Sequence, residues 1–330
     1  MRIQYRKLKN GIEIVRCYGT DPVVVLPDFI DGIPVVRVAA YTFSARKSEE
    51  DTDVLEYLGE SIQFTDEHLL AGMEIQEIVF PDSVESIGNY IFYGCKSLKR
   101  LEFSDRLQDI GSGAFTGADG IENLEVHLND TEKSCVKEIL GDLWQRIDVT
   151  FYYKNSKETV KLVFPEHYEE AVENTPARIL FTQHHGTGNN YRQCFTAKEV
   201  DFRKYDELFF LASVLDKTEV LIDLVFSRLI YSKGLTEKNK ASYQNYIQMN
   251  LQEIIQKVIK EINKEINKFT ILHEISQNKM WTKDAMELAL QTSAQVQDRE
   301  LTAWLMNENY KFFGQCEEKR EVKKKKKFAL

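Results

Sequence analysis

Residues 78–100 read IVFPDSVESIGNYIFYGCKSLKR and residues 101–123 read LEFSDRLQDIGSGAFTGADGIEN, one pattern written twice at a step of 23 with no insertion. Ile78 meets Leu101, Phe80 meets Phe103, Val84 meets Leu107 and Ile87 meets Ile110. Gly88 meets Gly111, Phe92 meets Phe115, Gly94 meets Gly117 and Leu98 meets Ile121. A fixed period in this range marks a solenoid whose unit cannot close its own core. Each coil buries its row of Ile, Leu and Phe only by stacking on a neighbour that presents the same row. Within a unit, Leu98, Leu101 and Phe103 end in the alternation of a short strand with one face inward. Asp82-Ser83 and Asp105-Arg106 break the strand. The Ile-Gly pair then supplies a turn in which glycine's access to positive φ is expected to be used. The aromatic that follows is expected to lie under the coil, so Ile87, Phe92, Phe115 and Cys95 read as core.

IVFPDSVESIGNYIFYGCKSL resembles the bacterial BspA-type leucine-rich repeat, whose pattern runs roughly IxxIxIPxSVxxIGxxAFxGCxxL; LEFSDRLQDIGSGAFTGADGI fits with the proline and cysteine lost. Upstream, GIEIVRCYGTDPVVVLPDFIDGIPVVRVAAYTF resembles the opening coils of that family. Leu26-Pro27 there takes the part of Phe80-Pro81, and Val38 and Phe43 take those of Ile87 and Phe92, with five extra residues at Ile30–Pro34. Residues 44–74 fit no repeat and read as an insertion. The resemblance covers roughly residues 1–128. It implies a leucine-rich-repeat solenoid and a binding role, and its members often carry a secretion signal and act in adhesion at the cell surface.

After Leu128 the period stops. TEKSCVKEILGDLWQRI places Val136, Ile139, Leu140, Leu143 and Ile147 at helical spacing, with Thr131 or Asn129 as N-cap, and DVTFYY reads as a strand. Together they are expected to cover the last coil. VKLVFP and ARILFT read as further strands and FTQHHGTGNNYRQCF as a loop. That loop brings His184, His185, Tyr191, Arg192 and Cys194 close in sequence. A Cys–His nucleophile pair or half a metal site can be written from them, but no third partner stands at a recognised spacing. The GTG is a poor phosphate loop, and Ser112 in GSG lacks a nucleophile-elbow context. No catalytic, cofactor-binding or metal-binding residue is assigned, and no cofactor is expected.

From Asp201 onward the pattern is helical: YDELFFLASVLD, TEVLIDLVFSRLIYS, a long NYIQMNLQEIIQKVIKEINKEINKF, TKDAMELALQTSA and DRELTAWLMNENY. Gly234-Leu-Thr236 and Trp281-Thr282 read as stops followed by N-caps. Leu251, Ile255, Val258, Ile262, Ile266 and Phe269 form one stripe, a dimer seam or a face packed within its own domain. The closing pair distantly resembles ankyrin helix pairs without TPLHxA. The fold class is therefore α+β, a short leucine-rich-repeat solenoid followed by an α-helical array. The expected organisation is a repeat domain with its cap over 1–153, a connecting α/β segment over 154–200, a helical domain over 201–318 and a basic tail over 319–330.

Of the chain's net charge of −9, the last fourteen residues, EEKREVKKKKKFAL, contribute +4 and the remainder −13. An acidic body disfavours nucleic acid, although the lysine run is a possible contact for RNA, DNA or anionic lipid. Five scattered cysteines without a CxxC pair argue against a disulfide framework or a zinc ribbon. No apolar run approaches the ~20 residues of a membrane span or forms a leader, so a cytoplasmic location is expected. The leading function is a protein-interaction scaffold, with a hydrolase or transferase centred on 184–194 as the alternative. Carrying the 23-residue step across the strands turns Glu77, Val79, Arg100, Glu102, Asn123, Glu125 and His127 outward. These seven are the candidate protein-binding surface, their other reading being a solvated sheet face. The partner and the oligomeric state are not written in the sequence.

Overall fold

The computed structural model describes residues 1–46, 53–59, 66–174, 179–260 and 266–314, with only the backbone described over 171–184. The chain divides into two compact units, Met1–Asp216 and Lys217–Leu330. In the first unit the strands are β1 (Arg2–Lys7), β2 (Ile12–Gly19), β3 (Val23–Val25), β4 (Phe29–Ile30), β5 (Ile33–Val38), β6 (Leu55–Leu58), β7 (His68–Leu69) and β8 (Glu77–Val79). They continue as β9 (Ser86–Ile87), β10 (Arg100–Ser104), β11 (Asp109–Ile110), β12 (Asn123–Leu128), β13 (Ile147–Tyr153), β14 (Glu158–Phe164), β15 (Tyr168–Asn174) and β16 (Ile179–His185).

Two sheets wrap the repeat core. One runs β14-β13-β12-β10-β8-β3 and the other β11-β9-β5-β2-β1-β6, with β4 beside β5 and β7 beside β2. The 23-residue alignment is the register: Ile78 pairs with Leu101, Leu101 with Leu124, and Ile87 with Ile110. The inward residues Ile78, Leu98, Leu101, Phe103, Leu124 and Val126 are all buried. Phe43, Phe92 and Phe115 form the ladder of rings beneath the coils, with centroids 5.9 and 5.4 Å apart.

The interruption of the repeat is also visible in the pairing. Val24 meets Ile78, 54 positions on, which is one 23-residue step, the five extra residues at Ile30–Pro34 and a net 26 more within 44–74. The coil before the insertion therefore stacks directly on the coil after it, and the inserted stretch supplies β6 and β7 at the edge of the second sheet. The five extra residues at Ile30–Pro34 are the end of β4, the turn and the start of β5 in a hairpin, with Asp31 (φ 52°) and Gly32 (φ 76°) between the paired Ile30 and Ile33. Two consecutive positive φ values are what a tight two-residue hairpin turn needs.

The role expected for the Ile-Gly glycines is corrected. Gly88 and Gly111 do not occupy the positive-φ region; Tyr41, Tyr90 and Gly113, at equivalent places in three successive coils, do, at 57°, 52° and 61°. What Gly88 and Gly111 provide is room. A Cβ on Gly88 would lie 2.2 Å from Ala40 N, and one on Gly111 would lie 2.3 Å from Asn89 N, so each glycine lets the preceding coil's backbone approach. Gly111→Ala is expected to force the coils apart at a cost of about 1–3 kcal/mol, measured by chemical denaturation. A neutral result would mean that the coils can separate without strain.

The cap differs from expectation in its boundaries. α1 spans Val136–Asp142 only, and Leu143 turns to extended backbone, so Ile147 opens β13 instead of closing a helix. Neither Thr131 nor Asn129 caps it: Cys135 occupies the N-cap without a side-chain bond, while the Thr131 N–H donates to Asp105 Oδ2 at 2.6 Å. β13 nevertheless continues the parallel stack, Leu124 against Val149 at a step of 25, and β14 returns antiparallel to it. β15 and β16 form a separate two-stranded ribbon. The unit closes with α2 (Gly188–Tyr191), α3 (Phe202–Glu207) and α4 (Phe209–Leu215).

The second unit contains α5 (Thr218–Ile230), α6 (Glu237–Lys260), α7 (Lys268–Gln277), α8 (Lys283–Gln295) and α9 (Arg299–Asn309). The Thr236 and Thr282 hydroxyls accept from the N–H groups of Asn239 and Ala285, both at 3.2 Å, as the stop-and-cap reading requires. The long helix does not continue to Phe269. α6 is described as far as Lys260, and α7 begins at Lys268, where the Asn267 side chain accepts from Phe269 N at 2.9 Å. Leu251, Ile255 and Val258 are buried within the unit, where α6 packs on α8 and α5. Ile262 and the lysine tail lie outside the described residues.

Candidate functional site

Strand alternation sets the outer face of the first sheet. Because parallel neighbours are in register, outward side chains line up in rows a strand spacing apart. One row is Val23, Glu77, Arg100, Asn123, Asp148; the next is Val25, Val79, Glu102, Glu125, Thr150, Lys161. His127 and Tyr152 begin a third. All seven residues expected to face out are partly exposed, and none belongs to the core.

The charges on this face are not independent. Arg100 donates to Glu77 and Glu125, each at 2.8 Å, and also to Glu102 on its own strand. Glu102 in turn meets His127 Nε2 at 2.8 Å. The His127 ring stacks on Tyr152 at 5.0 Å, and the Tyr152 hydroxyl donates to Glu125 at 3.0 Å. Six of these groups thus form one connected network. Glu125 hydrogen-bonding raises the Arg100 pKa above its ordinary value against the opposing effect of burial. Partial burial would raise Glu125, but the hydrogen bond and charge of Arg100 outweigh it and hold that carboxyl below the usual range. Burial, then the adjacent Glu125, pushes the Tyr152 phenol up to about 12. With three carboxylates around one guanidinium, the centre of the face is acidic. Its β3 end is apolar, with Val23 and Val25 37% and 58% exposed beside Val79.

Val23 and Val25, Asp148 and Tyr152, and Lys161 also belong to this face. The first two follow from the Leu26–Phe80 equivalence noted in the sequence. The β13 residues escape a strict 23-residue step because their step is 25, and β14 returns antiparallel, which no repeat encodes.

Among the described residues of the 184–194 segment, the thiol and the imidazole do not pair. Cys194 is 2% exposed, and burial pushes its thiol up to about 12, so it is protonated at neutral pH. Its sulfur lies 3.7 Å from Asn190 O. His185 stacks on Tyr168 at 4.3 Å and meets Glu170 at 3.2 Å; His184 lies in β16 opposite Glu169, its side chain outside the described residues. Tyr191 is fully buried. Arg192, 3% exposed, donates to the carbonyls of Leu140, Gln145, Pro165 and Gly188 at 2.7–3.1 Å. The GTG glycines press on backbone, where a Cβ at Gly188 would meet Pro165 O at 2.1 Å. Cys17, Cys95 and Cys135 are buried free thiols as well. Among the described residues no group of three or more His, Cys, Asp or Glu could hold a metal ion, and no helix is long and apolar enough to cross a membrane.

Residues 63–139 match the family model described as BspA type Leucine rich repeat region (6 copies). Among solved structures, the leucine rich repeat protein of T. pallidum is similar at 23% identity, over 37% of this chain and 68% of that one, with a TM-score of 0.21. No curated protein matches the chain.

Proposed function

We propose that the N-terminal part of this chain, a BspA-type leucine-rich-repeat region, is a protein-interaction module that binds its partner on the outer face of the β3–β14 sheet. The observation that carries this reading is the apolar end of the face. Val23, Val25 and Val79 stand side by side on β3 and β8, partly exposed, beside the acidic Arg100 network. An apolar patch with a polar rim is the anatomy of a modest protein interface. Glu77, Val79, Arg100, Glu102, Asn123, Glu125 and His127 are the proposed contacts, joined by Val25. The helical unit is a second candidate module for the same scaffold role.

Reversing the charge of Arg100 would place a fourth acidic group among Glu77, Glu102 and Glu125, so loss of binding and loss of folding would be confounded. Val25→Thr with Val79→Thr separates them, because it removes the apolar patch without setting like charges opposite each other or beside Glu102. The double variant is expected to keep its melting temperature within about 2 °C, since both side chains already face water, and to lose at least about tenfold in capture of the wild-type partner from native lysate, quantified by mass spectrometry. Undiminished capture by the stable variant would shift the interaction to the helical unit.

A further inference from the structure

The second sheet carries a different feature. The register places Arg6, Glu13, Arg37, Ser86 and Asp109 in one row across β1, β2, β5, β9 and β11. Arg6, Glu13, Arg37 and Asp109 of this row line a cavity of about 320 Å³, with Ile87 and Ile110 and the small residues Ala39, Ala40, Gly88 and Gly111 also in its wall. At Gly88 and Gly111 the coils lie against each other's backbone, and these two positions contribute no side chain to it.

Glu13, 6% exposed, sits between two arginines. Its Oε2 accepts from Arg6 at 2.8 Å, and its Oε1 accepts from Arg37 Nε at 3.1 Å. The bond to Nε fixes the plane of the Arg37 guanidinium. It leaves the two terminal nitrogens without a protein acceptor among the described residues, on a side chain half exposed at the cavity. Such an anchored fork is matched to a carboxylate. Two more donors line the same cavity. The Ser112 N–H donates to Asn89 Oδ1 at 2.8 Å, which identifies that atom as the oxygen and leaves the Asn89 Nδ2 hydrogens, like the Ser112 hydroxyl, for a ligand. Asp109 closes the far end, two strand spacings from Arg37 and so about 10 Å away.

The geometry points to a binding site for a small sugar acid. The ligand's carboxylate is held by Arg37, hydroxyls are read by Asn89 and Ser112, and a further hydroxyl donates to Asp109. A phosphate dianion fits this lining less well, because Asp109 and Glu13 balance the two arginines and Asp109 needs a donor opposite it. The site lies on a different sheet from the proposed protein-binding face and is independent of it.

Sodium D-glucuronate, D-glucose and inorganic phosphate, titrated calorimetrically into the full chain at constant ionic strength, test the assignment. Glucuronate is expected to bind, with glucose and phosphate each at least about tenfold weaker. Arg37→Gln and Arg37→Lys should each lower glucuronate affinity by about tenfold or more in protein that circular dichroism shows to be folded, because lysine restores the charge but not the fork. Ser112→Ala should weaken it about threefold. Equal binding of glucose or phosphate, glucuronate binding that survives Arg37→Gln, or no glucuronate binding up to about 50 mM (an affinity too weak for a built site) would each overturn the proposal.

Discussion

Phe92→Ala is expected to destabilise the repeat unit by about 3–5 kcal/mol, the range for a fully buried aromatic cut back to a methyl group. Phe92 is 0% exposed and central in its ladder, with Phe43 and Phe115 on either side and Phe80 at 6.3 Å. Its removal opens a cavity that the stacked coils cannot close, because their separation is set by the glycine contacts at Gly88 and Gly111. Phe115 is 3% exposed and stands one coil further along, so Phe115→Ala should cost less within the same range. The rings touch, so the double variant should deviate from the sum of the two by about 0.5–1.5 kcal/mol. Native-state hydrogen exchange on the amides of β8, β10 and β12 reads the loss in this unit alone. A loss below about 1 kcal/mol for both variants would mean that the aromatics are not what joins the coils.

The parts of this fold that could be read in advance are those in which a side chain repeats a role. Ile78, Leu101 and Leu124 occupy one inward position at a step of 23, so the apolar pattern alone fixes the strand register. The same arithmetic locates the insertion, because Val24 can pair with Ile78 only if residues within 44–74 leave the coil. What the pattern could not convey is how the turns work. An Ile-Gly pair suggests positive φ, whereas these glycines are required by a neighbouring backbone, and the left-handed position two residues on is held by Tyr90 and Gly113. Backbone approach between coils leaves no trace in a hydropathy pattern. The outward residues of β8, β10 and β12 were legible from alternation. Their linkage through Arg100 was not, since four acidic or basic residues on adjacent strands read equally well as separate solvated charges. The helix break before Lys268 was missed for a related reason. The apolar stripe runs on through Ile266 and Phe269, and only the Asn267 cap bond marks the restart.

Arg192 shows how far chemistry inferred from composition can stand from the role of a residue. In the sequence it neighbours Tyr191 and Cys194 and suggests a site. In the fold it carries a buried guanidinium whose five hydrogen bonds all end on main-chain oxygens. Nε donates to Leu140 O at 2.9 Å and to Leu143 O at 3.1 Å, Nη1 to Pro165 O at 2.7 Å and Gly188 O at 3.1 Å, and Nη2 to Gln145 O at 2.8 Å. Two of these acceptors end α1, where the last helical carbonyls have no partner of their own and a cation is favoured. Burial lowers the Arg192 pKa to about 10, which still leaves it charged at neutral pH. One side chain therefore ties the cap helix, the end of β14 and the start of α2 together. Arg192→Met keeps the length and leaves those carbonyls without a donor. Each buried orphan costs about 1–3 kcal/mol, so a loss of at least about 4 kcal/mol is expected, or failure of the first unit to fold. Arg192→Lys retains charge but offers one nitrogen in place of three, and its loss should fall between wild type and the methionine variant. Denaturant unfolding gives the magnitude, and hydrogen exchange near residues 140–146 gives the location. If Arg192 instead served a ligand, Arg192→Met would leave stability within about 1 kcal/mol of wild type, and the structural role assigned to it would fail.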